Sequence, residues 1–223
     1  MRRFLLTLVM SIAPICATRA DAPSPADAGV RVEKPAGDGV HFMQGSGVYL
    51  GHGLVLTARH VVSVDSSSAT VTVVMDGWRL SGTDIFDGAR ANLDLALIRI
   101  PMSSLSIARR AQADVSVCRD NPEPSHPVLV AALGTLSIAA TIPTPITSEG
   151  RTGSWTNILN KGYHRGNSGG GVFKPGERCL WGILETELSG PSLRTGAMLD
   201  LTAFVPASDI SAFLESYRRE GAP

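Results

Sequence analysis

Short apolar runs separated by glycine-rich or polar breaks recur from Val40 onward: GVYL, GLVLTA, ATVTVVM, WRLSG, DLALIRI, VSVC, PVLVAALG, GGVF and CLWGILE. Runs of this length, bounded by turn formers, predict strands. Ala69-Thr70-Val71-Thr72-Val73 alternates apolar and polar side chains, the period of a strand covered on one face. Leu95-Ala96-Leu97-Ile98 and Val128-Leu129-Val130-Ala131 are unbroken, as strands covered on both faces would be. Helical spacing is convincing only near the end, where Ile210, Phe213, Leu214 and Tyr217 share a face after a candidate N-cap at Ser208. The pattern predicts an all-β barrel or sandwich architecture with one C-terminal helix. A Pro- and Ser-bearing segment from about Pro101 to Ala113 would join two halves.

Composition changes the picture at the N-terminus. From Asp21 to about Gly39 the chain is mostly Ala, Pro, Asp and Gly, which buries too little to offset its ordering entropy and predicts a flexible lead-in. Ahead of it, residues 1–20 carry Arg2 and Arg3, an apolar run from Phe4 to about Cys16, and small residues suited to cleavage after Ala17 or Ala20. This is the form of a secretory signal peptide, and it predicts a secreted or periplasmic protein. The run is shorter than the roughly 20 residues a membrane anchor needs. Removing the leader leaves Cys118 and Cys179 in a compartment that permits oxidation. A disulfide between them is expected, with two separate buried thiols as the alternative.

Charge excludes a class of partner. Lys plus Arg and Asp plus Glu both number 20, so no net field recruits nucleic acid or an anionic membrane. The 223 residues suffice for one large domain or two small packed halves.

Candidate chemistry centres on YHRGNSGGGVF, residues 163–173, in which Ser168 is set among glycines just before an apolar run. Such a serine is either a nucleophile or part of a tight turn. A serine hydroxyl attacks well only when a base takes its proton, and the base works best when a buried carboxylate orients it. His60 ends LVLTARH, a strand expected to run on into Val61 and Val62, and Asp94 stands at the head of the apolar run LALI. A carboxylate there needs a hydrogen-bonding partner, although it could merely cap a turn. His41, His52 and His126 lie in glycine-rich or polar loops and are expected to be solvated, and His164 is close to Ser168 only in sequence.

Together, GSGVYLGHGLVLTARHVV, DLALIRI, GNSGGGVF and FVPASDI resemble the chymotrypsin-fold, trypsin-like serine proteases, particularly the bacterial HtrA-like and glutamyl-endopeptidase-like branches. The likeness runs in the family's order from about Gly45 to Ile210, without the PDZ domain that HtrA-like enzymes often carry. It implies two six-stranded antiparallel β-barrels, over residues 40–112 and 113–223, the second followed by the terminal helix. It also implies a serine endopeptidase that cleaves proteins or peptides through an acyl-enzyme, with no metal or cofactor. In that scheme Ser168 is the nucleophile, His60 the general base, Asp94 its orienting carboxylate, and the N–H groups of Gly166 and Ser168 form the oxyanion hole.

The same resemblance walls the specificity pocket with Gly162, Tyr163, His164 and Arg165 on one side and the strand bearing Leu184 and Glu185 on the other. No aspartate holds the trypsin-like pocket-base position, and Leu184 replaces the histidine of glutamate-specific relatives. Cleavage after a small or medium apolar residue is therefore expected, unless Glu185 and Glu187 draw basic residues instead. Asn167 stands where trypsin-like zymogens use an aspartate to pair with a newly cut N-terminus, so activity is not expected to await such a cut.

Two other functions compete with the endopeptidase. Gly166-Asn167-Ser168-Gly169-Gly170 also fits the serine elbow of an α/β-hydrolase esterase, but there the serine precedes its acid and base and a helix follows it. The second is a catalytically silent peptide-binding module on the protease fold.

Overall fold

The computed structural model describes residues 24–35, 42–62, 70–89, 92–112, 114–142, 146–147, 154–155, 157–191 and 197–220. The expected leader and His41 lie outside the described residues. Strands β1 (Gly29–Pro35), β2 (Phe42–Gly51), β3 (Leu54–Thr57), β4 (Thr72–Met75), β5 (Trp78–Ser81), β6 (Asp84–Asp87) and β7 (Ala96–Arg99) form one antiparallel sheet in the order β5-β4-β1-β2-β3-β7-β6. The later strands are β8 (Ser116–Val117), β9 (Pro127–Ala132), β10 (Thr135–Ala140), β11 (Ile146–Thr147), β12 (Ser154–Trp155), β13 (Ile158–Leu159), β14 (Gly171–Phe173), β15 (Cys179–Pro191) and β16 (Met198–Pro206). Their sheet runs β10-β9-β14-β15-β16-β13, with β8 parallel to the start of β15 and β11-β12 as a separate ribbon. These two curled sheets, with seven strands in each among the described residues, make the expected chymotrypsin-like two-barrel fold.

Burial follows the hydrophobic pattern closely. Val71, Val73 and Met75 are buried while the residues between them are half-buried, and Leu95 to Ile98 are buried without interruption. Tight hairpins join several strands where the chain can turn left-handed: Asp76 and Gly77 both have positive φ between β4 and β5, as the primed two-residue turn requires. One apolar cluster fills each sheet's interior, and a third lies between the sheets, bringing Val48, Leu56 and Leu97 against Phe173, Leu180 and Ile183.

The terminal helix belongs to that third cluster. It spans Ala207–Arg219 and buries Ala207, Ile210, Phe213 and Tyr217. Phe86 of β6 meets both Phe213 and Tyr217 at centroid distances of 5.3 Å, so the last element of the chain is packed onto the first sheet. Ser208 is not the N-cap expected from the sequence: Pro206 precedes the first turn, and the N–H of Ser208 is taken by Asn121 Oδ1 at 3.3 Å. Among the described residues no helix is long and apolar enough to cross a membrane.

A larger departure concerns the lead-in. Residues 24–35 are ordered, first as the turn α1 (Pro25–Ala28) capped by Ser24 and then as β1, paired with both β2 and β4. Composition hid this strand because its charged residues are satisfied by distant ones. Glu33 pairs with Arg31 and with Arg79 of β5, and the Lys34 ammonium donates to the Val62 carbonyl at 2.5 Å.

Cys118 and Cys179 are bridged, with Cα atoms 5.1 Å apart. A disulfide of this kind persists in an oxidising compartment. Closing a loop of sequence separation 61 is worth about 4 kcal/mol in the chain-entropy account. Replacing both cysteines by alanine is therefore expected to lower the urea unfolding midpoint substantially, read by denaturation of the paired variants. An unchanged midpoint would show that the bridge constrains nothing that unfolding releases.

Candidate active site

His60 lies on the one-turn helix α2 (Arg59–Val62), which follows β3 where the sequence suggested continued strand. A helix start leaves backbone N–H groups without intrahelical partners. Asp94 uses one of them: its Oδ1 accepts the His60 backbone N–H at 2.9 Å, while Oδ2 lies 2.6 Å from His60 Nδ1. The carboxylate thus holds both the main chain and the ring of one residue. Lys34 secures the other end of α2 through the Val62 carbonyl, and burial holds its ammonium pKa below the ordinary lysine value.

Ser168 reaches this pair through β2, which runs between them. A Cβ at Gly45 would come within 2.6 Å of both Val61 methyl groups and 3.1 Å from the Ser168 carbonyl, so only glycine lets the two segments approach so closely. The next residue, Ser46, is completely buried, fastens the serine loop twice and ties it to the turn between β9 and β10. Its N–H donates to the Ser168 carbonyl at 2.8 Å, its hydroxyl donates to the Gly166 carbonyl at 2.9 Å, and the same oxygen accepts the Leu133 N–H at 2.9 Å. Sequence reading missed Ser46, although the glycines on both sides of it signal tight packing.

The loop itself is clamped by β15. Gly169 donates to the Leu184 carbonyl and Leu184 donates back to the Gly170 carbonyl, each at 2.8 Å. Gly169 has φ +87°, and a Cβ there would collide with the Ser46 carbonyl and the Thr57 hydroxyl. Asn167 closes the preceding turn, its N–H and its side-chain amide both donating to the His164 carbonyl. Among the described residues, the N–H groups of Asn167, Gly169 and Gly170 are engaged, whereas those of Gly166 and Ser168 have no acceptor. Two uncommitted donors therefore flank the serine. No hydrogen bond joins Ser168 Oγ to His60 among the described residues, and such bonds are often loose before substrate binds.

The other histidines are accounted for elsewhere. His52 pairs with Asp114 at 3.1 Å, His126 stands edge-on to Trp181, and His164 lies 3.3 Å from Glu187. Arg59 is half exposed beside Asp87 at 3.9 Å, turned to the surface.

The remaining pocket candidates fall in different settings. Tyr163 is half-buried, with its hydroxyl 2.7 Å from Ser137 Oγ and its N–H on the Thr202 hydroxyl. Arg165 is exposed and Gly162 is half-buried. Leu184 is 1% exposed, its side chain in the core of the second sheet, so it offers the cleft only its backbone. Glu185 is the extra residue of a bulge, because β15 and β16 pair Leu184 with Phe204 and then Thr186 with Ala203.

Electrostatics tie Glu185 to the histidine–aspartate pair. Burial pushes its pKa up to about 7, with the Asp94 charge adding to the rise and His60 opposing it. His60 is held above the ordinary histidine value, first by its hydrogen bond to Asp94 and further by the charges of Asp94 and Glu185, while burial opposes the rise. No helix directly follows Ser168. The next element is β14, which excludes the α/β-hydrolase elbow.

No curated protein matches the chain. Solved structures do. The Rv3671c protease of M. tuberculosis in its active form is 16% identical, with a TM-score of 0.58, 96% of this chain and 92% of that chain being covered. The serine endoprotease of Yersinia pestis is 22% identical at a TM-score of 0.57, covering 88% of this chain and 64% of that one. At these identities the likeness speaks to the fold, which agrees with the two sheets described above. A family profile described as a trypsin-like peptidase domain matches residues 45–183, from the glycine beneath Ser168 to the strand that clamps it. The chain therefore belongs to the trypsin-like peptidase family and is, by class, a serine endopeptidase.

Proposed function

We propose that the protein hydrolyses peptide bonds with Ser168 as nucleophile, His60 as base and then acid, and Asp94 as the group that orients His60. The observation that carries this reading is the double grip of Asp94 on His60, since a catalytic base needs a fixed ring and a fixed tautomer. Ser168 Oγ attacks the substrate carbonyl as His60 Nε2 takes its proton. The N–H groups of Gly166 and Ser168 receive the developing oxyanion, and the leaving amine takes the proton back from His60. Water then repeats the sequence on the acyl-enzyme. Apart from that water and the substrate, the reacting groups in this scheme are side chains and backbone of this chain.

The leader-like residues 1–20 and the Cys118–Cys179 bridge support secretion or a periplasmic location. A second reading, the silent peptide-binding module, draws on the missing hydrogen bond between Ser168 and His60. Treatment with a fluorophosphonate probe separates the two. Specific labelling at Ser168, lost in Ser168→Ala, is expected of an activated nucleophile; a native protein that neither labels nor cleaves casein would favour the module.

The charges around His60 also fix a pH response. The base must be neutral to act, so activity falls as pH drops through the His60 pKa. An ionised Glu185 stabilises the imidazolium and raises that pKa. Glu185→Gln removes the charge, and the acid limb of kcat/KM is expected to move to lower pH and to sharpen into a single titration. An acid limb identical to that of the native protein would show that Glu185 and His60 do not interact in catalysis.

A further inference from the structure

Where β15 and β16 lie side by side, Glu187 pairs with Thr202 and Ser189 with Asp200. Opposite residues, and residues two apart on one strand, project from the same face. Glu187 and Asp200 are therefore diagonal neighbours on that face, within reach of each other's side chains. Two carboxylates so placed repel unless a cation stands between them. Among the described residues no lysine or arginine fills that role, and Lys161 is drawn instead over the Tyr163 ring, 5.4 Å from its centroid. The loop before Ser168 brings an imidazole: His164 Nδ1 lies 3.3 Å from Glu187 Oε1. Ligand atoms of His164, Glu187 and Asp200 all lie within 4.8 Å of one another, and among the described residues no other trio of His, Cys, Asp or Glu converges in this way.

We propose that His164, Glu187 and Asp200 bind a divalent transition metal of the zinc class, which pins the loop before Ser168 to the β15–β16 ribbon. Three protein ligands and one water complete a tetrahedral zinc site, and imidazole nitrogen and carboxylate oxygen are both among its ordinary donors. Ligand atoms about 2 Å from such an ion stand roughly 3.4 Å apart, close to the 3.3 Å that already separates His164 from Glu187. His164 and Asp200 are exposed, so their side chains are free to turn inward and the ion enters from solvent. The main chain beneath them is held. The His164 carbonyl accepts both the N–H and the side-chain amide of Asn167, and Tyr163 donates its N–H to the Thr202 hydroxyl at 2.8 Å. Gly162 lies against Asp200, where a Cβ would fall on the carboxylate. The imidazole decides the class of ion, because calcium and magnesium take oxygen ligands whereas zinc gains from nitrogen. The ion takes no part in the chemistry proposed for Ser168. On the endopeptidase reading, on which this consequence alone rests, it fills space between loop and ribbon that a substrate side chain would enter, so zinc inhibits hydrolysis.

The test reads binding of the metal alone. Native protein cleared with EDTA and then dialysed to equilibrium against zinc is expected to hold a single ion per chain. His164→Ala, at a ring exposed to solvent, should lower zinc affinity by at least about 10- to 100-fold, the loss that follows even when a group merely supporting a ligand is removed. Asp200→Asn should act in the same direction and serves as the second variant should His164→Ala misfold. Amide hydrogen exchange over residues 161–167 of Ser168→Ala protein should slow when zinc is added, which reads the pinned loop without turnover. No bound zinc, or an affinity unmoved by both substitutions, overturns the proposal. Calcium or magnesium binding as tightly as zinc also overturns it, since the imidazole would then have no role. Exchange unchanged with the ion bound overturns the pinning. Zinc should slow peptide hydrolysis by the native protein and slow it less in His164→Ala; hydrolysis indifferent to bound zinc overturns the inhibition. A native protein that hydrolyses nothing would sink the endopeptidase reading, while dialysis and exchange would still decide the site.

Discussion

Ser168→Ala is expected to lower kcat by roughly six orders of magnitude, the loss seen when a triad nucleophile is removed and only the oxyanion hole and substrate binding remain. The geometry makes this a clean substitution. Ser168 holds its loop through its backbone carbonyl, which accepts from Ser46, and its hydroxyl has no partner among the described residues. Alanine keeps every one of the loop's hydrogen bonds: Gly169 to Leu184, Leu184 to Gly170, and Ser46 to the Gly166 carbonyl. The unfolding free energy should therefore change by no more than a surface substitution would change it, about 0.5 kcal/mol. Steady-state hydrolysis of a peptide ester and urea denaturation measure the two halves of the prediction. Residual turnover above about one per cent would mean that water is activated without Ser168, and the acyl-enzyme route would fall.

The sequence revealed the catalytic candidates because each sits at the end of a strong local pattern. His60 follows the run of β3, Asp94 precedes the buried run of β7, and Ser168 precedes β14. Apolar runs of this kind are read from periodicity alone, and their ends mark where polar side chains emerge. What was not legible depends on partners far along the chain. β1 carries Glu33 and Lys34, a composition that argues against a buried strand until Arg79 and the Val62 carbonyl are known to satisfy them. Asp200 sits on β16, and its contact with Gly162 joins residues far apart in the sequence. The N-cap failed because the helix starts earlier, after Pro206, and the N–H of Ser208 is itself taken by Asn121, 87 residues away.

These non-local contacts converge on the proposed catalytic side chains. Lys34 caps the helix turn that bears His60, and Ser46, on the neighbouring strand, ties down the loop that bears Ser168. One antiparallel pair, β1 and β2, thus braces two groups carried by different sheets. The strand that composition had assigned to a flexible lead-in is part of the scaffold that positions His60.

Asp94→Asn is expected to reduce kcat about 10⁴-fold with little change in KM, for a reason specific to the double grip. Asparagine has one oxygen and one amide nitrogen, while His60 presents a backbone N–H to Oδ1 and ring Nδ1 to Oδ2. If the oxygen stays on the backbone N–H, the amide donates to Nδ1. The ring proton then resides on Nε2, which can no longer accept the proton of Ser168. If the amide flips, its oxygen suits Nδ1–H but its nitrogen faces the backbone N–H, donor against donor, and the main-chain hydrogen bond is lost. Neither orientation reproduces the carboxylate, and neither supplies the negative charge that stabilises the imidazolium in the transition state. Fluorophosphonate labelling should slow along with peptide hydrolysis, since both need the base. A loss under tenfold would show that another group orients His60. Glu185, the other carboxylate that raises the His60 pKa, would then be the one to replace alongside Asp94.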